Sequence, residues 1–176
     1  MNTGQTIVTI AAFVLLMTIM MNFYGLVAST GDDISNGQDG ILETTIATSY
    51  MELAQGLSYD QVSDSSDIAI HNVNALTLPS MLGPDQAAED SIQHFNDFDD
   101  FNGLTAEKQP GGTNRRYRTT FEVHYVDPTD VETIVSTKSF VKRMDLKTWR
   151  TFPAAGQDER LDTLRTSLVM GYFHFD

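Results

Sequence analysis

The chain has 176 residues, no cysteine and a formal net charge of −13, from 24 Asp and Glu against 11 Lys and Arg. That length accommodates one modest core beside a membrane-length segment, and the missing thiols exclude disulfides, thiolate metal sites and cysteine nucleophiles. The acidic balance repels nucleic acid, whose binding depends on Lys and Arg neutralising phosphates, so no direct nucleic-acid binding is expected.

From Met1 to Gly31 there is no Asp, Glu, Lys, Arg or His, and Ile7 to Ala28 is apolar apart from Thr9, Thr18, Asn22 and Gly25. At a helical rise of about 1.5 Å per residue, about 20 such residues cross the hydrocarbon core of a bilayer. A secretory signal would open on positive charge and carry a shorter apolar run. "MNTG" holds no basic residue, so residues 1–28 are expected to persist as a transmembrane or filament-core helix. The side chains through which this helix would pack on other helices are Ile7, Val8, Thr9, Phe13, Leu16, Met20, Phe23 and Leu26.

Residues 29–40, "STGDDISNGQDG", combine glycine with short polar side chains that compete for backbone hydrogen bonds, and predict a flexible neck. In the next segment Leu42, Ile46, Tyr50, Leu53 and Leu57 recur at spacings of three and four, predicting an amphipathic helix over 41–60 with Asp39 as a candidate cap. Residues 61–116 sustain no period and are punctuated by Pro and Gly, predicting loops with a short helix at "PDQAAEDSIQHF".

Within these loops lies "HFNDFDDFNG". Its carboxylates Asp97, Asp99 and Asp100 are close enough in sequence to share a hard cation such as calcium, although their spacing differs from that of the twelve-residue calcium loop. The alternative is a loop docked by Phe95, Phe98 and Phe101 with its acids left in water. Beyond this possible calcium ion, no cofactor is implied.

In "YRTTFEVHYV" Tyr117, Thr119, Phe121, Val123 and Tyr125 alternate with polar partners, the period of a half-buried strand. "TIVSTKSFVKRMDL" and "TLRTSLVMGYFHF" predict two further strands, giving a meander of about three strands over 117–176. Its apolar face needs a cover, and the stripe over 41–60 has the right shape. The fold class is α+β: a long N-terminal helix, apolar and then amphipathic, packed on a small antiparallel sheet, with 41–176 forming one head.

This order of parts resembles the type IV pilin and pseudopilin superfamily. The likeness rests on Gly4 followed at once by the apolar run, the amphipathic "TSYMELAQGLSYDQV", the "FNDFDDFNG" loop and the terminal sheet. It implies cleavage by a prepilin peptidase between Gly4 and Gln5, retention in the cytoplasmic membrane before assembly, and export by pilus machinery into an extracellular helical filament of identical subunits. Thr9 stands where that superfamily carries a glutamate, and a cut after Gly4 would leave the new amine without its usual partner.

The expected function is therefore that of a structural filament subunit. The alternative is a single-pass anchor carrying an extracytoplasmic binding or sensing domain. His71, His94, His124 and His174 are scattered and no nucleophile, phosphate or dinucleotide motif occurs, so no enzymatic activity is expected.

Overall fold

The computed structural model describes residues 3–65, 72–85, 89–153 and 163–173. Two units divide the chain, Met1–Asp39 and Gly40–Asp176. One helix, α1, runs from Thr3 to Gln55 and contributes to both.

Residues 29–40 are helical, which corrects the expected neck. Composition argued for a break, but each glycine costs a helix only about 1 kcal/mol, and extending an existing helix avoids the unfavourable nucleation step. The hydroxyls bond back into the helix: Ser29 Oγ and Thr30 Oγ1 both donate to the Leu26 carbonyl, at 3.0 and 2.9 Å. Asp39 is consequently an interior helical residue and not a cap.

In the second unit α1 packs on the sheet through Ile46, Tyr50 and Ala54, three residues at a spacing of four, which join Tyr117, Phe121, Val123, Met144, Leu146 and Leu168 in one core. The Tyr50 ring meets Phe121 edge-on at 5.1 Å. Leu42 and Leu57 flank this contact, half-buried. Leu53, counted in the predicted stripe, is 53% exposed, and Ala54 takes the buried position with no exposure. A spacing of three or of four both satisfy the period; the sheet surface selects the small residue for the closest approach. The helix stops at Gln55, short of the expected end at 60, and a separate turn, α2, covers Gln61–Ser65.

The sheet has five strands, not about three: β1 (Thr105–Lys108), β2 (Arg116–Asp127), β3 (Asp130–Ile134), β4 (Val141–Phe152) and β5 (Thr163–Gly171). All pairings are antiparallel, in the order β1-β2-β4-β5, with β3 folded back on the end of β2. The extra strands have local causes. β1 lies in the presumed loop region and pairs Thr105–Lys108 with Tyr117–Thr120. The expected second strand is split: "DPTD" makes a tight turn in which Asp127 Oδ1 accepts from the Thr129 amide at 2.8 Å, and β3 ends at Ile134 before β4 begins. The predicted alternation of β2 holds, with Tyr117, Thr119, Phe121, Val123 and Tyr125 all buried. Of the stretch "PDQAAEDSIQHF", where a helix is expected, residues 86–88 lie outside the described residues and the described ones are not helical, with a turn at 91–94.

Candidate functional site

Two features of the chain differ from an ordinary apolar core. The first is the N-terminal part of α1. Its most apolar 18-residue window has a mean hydropathy of 2.2 and none of it is buried. Ile7, Val8, Phe13, Leu16, Met20, Phe23 and Leu26 are 51–69% exposed, as are Ile10, Leu15, Met17, Met21 and Tyr24 between them. Large apolar side chains therefore cover the helix on every side, the pattern of a helix that is surrounded by lipid or by other helices. The hydroxyls are self-satisfied: Thr9 Oγ1 donates to the Gln5 carbonyl and Thr18 Oγ1 to the Val14 carbonyl, each at 2.9 Å. Such bonds let hydroxyls enter an apolar medium at little cost. Gly4 and Gln5 sit at the start of α1, exposed.

The second feature is a buried cluster of charge in the head, which holds the predicted loop acids in an arrangement the sequence did not suggest. Phe95, Phe98 and Phe101 dock as expected, with Phe98 and Phe101 fully buried and Phe101 against Phe95 and Phe121 at 5.2 and 5.4 Å. The acids do not stay in water: Asp97, Asp99 and Asp100 are 1–2% exposed. Asp97 caps the 3-10 turn Phe98–Phe101, accepting from the Asp99 amide at 2.9 Å. Asp100 reaches back to the amides of Asn96 and Asp97 at 2.9 and 3.2 Å, completing a capping box. Backbone bonds between Ser58 and residues 96 and 98 tie this turn to the segment that follows α1.

Asp99 faces Lys142. The ammonium donates to Asp99 Oδ1, to Asp60 Oδ2 at 2.9 Å and to the Tyr59 carbonyl at 2.8 Å, so all three of its donors are used. Lys142 has no exposure, and its nitrogen lies over the rings of Tyr59 and Tyr125, 4.5 and 5.4 Å from their centroids. Asp60 is held in place by the Thr77 amide and hydroxyl, each at 3.1 Å, and by the Val62 amide at 3.3 Å.

These contacts set the titration of the cluster. Burial alone would raise the Asp60 carboxyl, but the charge and hydrogen bond of Lys142 and the amides of Thr77 and Val62 together hold it below its ordinary value. At Asp97 burial, then the charges of Asp99 and Asp100, outweigh the more distant charge of Lys142 and push the carboxyl up to about 8. Burial likewise raises Asp100 and both tyrosines, Tyr59 and Tyr125.

The three loop acids considered for calcium are each engaged within the chain. Asp99 is committed to Lys142 and the other two loop acids to backbone amides, and among the described residues no group of three or more His, Asp or Glu is arranged to hold a metal ion. Sequence reasoning missed Asp60 and Lys142. The available signal was periodic: in "VKRMDLKT", Lys142 shares its strand face with Met144, Leu146 and Thr148, all buried. Of the histidines, His94 pairs with exposed Asp90 at 2.8 Å and His124 stands 3.8 Å from Glu122, while His71 and His174 lie outside the described residues.

No protein-family profile matches the chain, and no curated protein or solved structure matches it. The architecture in hand is an α+β head on an antiparallel sheet, with one apolar N-terminal helix compatible with association with a membrane.

Proposed function

We propose that the chain is a structural subunit of an extracellular type IV pilus-like filament, held in the cytoplasmic membrane before assembly and packed through its N-terminal helix afterwards. The observation that carries this reading is the charge-free helical surface with apolar side chains on every side from Ile7 to Val27. Such a surface suits lipid first and then the helices of neighbouring copies, because both are equally apolar and the exchange costs little. The order of parts adds support: an amphipathic continuation of the same helix covers an antiparallel sheet. The acidic head keeps filaments from associating side by side at low salt.

The second reading is a single-pass membrane protein with an extracytoplasmic binding domain, favoured by the same apolar window. Shearing intact cells, pelleting the released filaments and weighing the chain in the pellet separates the two. A filament subunit appears in that pellet with its apolar segment, and its mass distinguishes a start at Met1 from one at Gln5. An anchored domain appears only in detergent extracts of the membrane, and that result overturns the filament reading.

A further inference from the structure

The geometry points to a covalent cross-link in the head: an amide bond between Lys142 Nζ and Asp99 Cγ, formed with Asp60 as the proton relay. This goes beyond the filament reading and holds equally for an anchored domain.

Four observations converge on it. Lys142 and Asp99 are in direct contact and buried, at 0% and 3% side-chain exposure. A second carboxylate, Asp60, touches the same nitrogen at 2.9 Å and is itself fully buried. Tyr59 and Tyr125 cover the nitrogen with their rings, which keeps bulk water from the reacting atoms. Finally, Asp60 is fixed by Thr77 and Val62, which anchor it as a base, whereas the Asp99 carboxylate is held at the cluster by Lys142.

Positioned reactants in a dry site gain the most from proximity, and a base on the attacking nitrogen supplies the proton transfers that condensation needs. Lys142 enters as an ammonium and Asp99 as a carboxylate. Asp60 takes one proton from the ammonium, and the freed lone pair forms the N–C bond. One C–O bond of Asp99 breaks, and that oxygen leaves as water with the two protons shed by nitrogen, one of them returned through Asp60. Asp60 ends as it began, and nothing is oxidised or reduced.

The bond would join β4 to the Phe98–Phe101 turn across 43 positions of sequence. In a chain without cysteine, it would do the work that a disulfide does elsewhere: shorten the unfolded chain and tie a loop to the sheet.

The test is the intact mass of the full chain purified in detergent, read against the N-terminus found by peptide mapping. The expected result is a mass one water below the sequence, with a branched peptide in which the Asp99 and Lys142 fragments are joined. A mass equal to the sequence, with the two fragments recovered separately, overturns the proposal. Lys142→Arg must restore the full mass; a water still missing there comes from a different group, such as a cyclised aspartate, and also overturns it. Asp60→Asn keeps both reacting groups and is expected to leave the chain unjoined, whereas complete joining in that variant removes Asp60 from the mechanism.

Discussion

The nitrogen of Lys142 lies 2.9 Å from Asp60 Oδ2 although 82 positions separate the two residues, and neither side chain is exposed to solvent. Breaking such a pair from one side leaves its partners charged and dry. Lys142→Met leaves Asp60 and Asp99 buried without the group they share, whether that group is an ammonium or the amide nitrogen, and is expected to cost the head about 3–5 kcal/mol. Urea unfolding of the full chain in detergent, followed by the fluorescence of Trp149, measures it; a loss below about 1 kcal/mol would show that the cluster does not hold the head together.

Asp97 gives the head a stability that falls as pH rises. Its folded value of about 8 exceeds the ordinary 3.8, so between those limits the folded state holds a proton that the unfolded state has lost. The contribution is full below pH 3.8 and is lost as pH climbs to about 8. Burial is the leading cause and persists whether or not Asp99 is joined to Lys142. Asp97→Asn retains a capping side chain, and its unfolding midpoint is expected to rise relative to the parent as pH goes from 5 to 8. Parallel pH profiles for the two chains would refute this. Asp60, held low by the Lys142 ammonium in the unjoined chain, acts there with the opposite sign: its contribution is present at neutral pH and is lost as acid protonates it.

The neighbouring positions 53 and 54 make a paired test of how α1 docks. Ala54 has no exposure and faces the sheet, so Ala54→Leu overfills the contact and is expected to cost about 1–3 kcal/mol. Leu53→Ala, at a side chain 53% exposed, is expected to change stability by no more than about 0.5 kcal/mol. Equal effects of the two in denaturant titration would mean that the helix is rotated from the described face.

Charge in the apolar segment tests its use. Leu16→Asp places a carboxylate at the middle of the run, a change that costs about 2.5–3.5 kcal/mol for membrane insertion. The variant is expected to disappear from the sheared filament pellet while the head keeps its unfolding midpoint. Undiminished recovery from the pellet would remove the apolar helix as the assembly surface.

Gly31 and Gly37 lie in α1 with open space where a Cβ would stand. Replacing each by Ala is expected to strengthen the helix by about 1 kcal/mol. Amide exchange over residues 29–40 reads this directly as slower exchange in the double variant. Faster exchange there would show that these residues favour a non-helical conformation.

Much of the architecture is local and was therefore legible. A charge-free apolar run has no low-energy alternative to a helix away from water, because only a helix satisfies every backbone group within one segment. The alternation from Tyr117 to Tyr125 fixes which side chains of β2 face inward, since the strand period is two. The spacing of Phe95, Phe98 and Phe101 announced a docked loop. What misled was composition: glycine and serine in 29–40 predict a break only if the neighbours leave the choice open, and here helix stands on both sides.

The chain's own pattern thus determined the apolar helix, the amphipathic cover and the inward faces of the strands, because each depends on residues a few positions apart. Only the tertiary structure decided that Asp60, Asp99 and Lys142 meet, that Ala54 rather than Leu53 touches the sheet, and that the loop acids are buried instead of hydrated. The meeting of Asp60, Asp99 and Lys142 rests on contacts across 43 and 82 positions. The strand period marks Lys142 as inward-facing but names no partner for it: burying a charge is favourable only when its partner arrives from elsewhere in the chain, and the packing of the sheet brings it there.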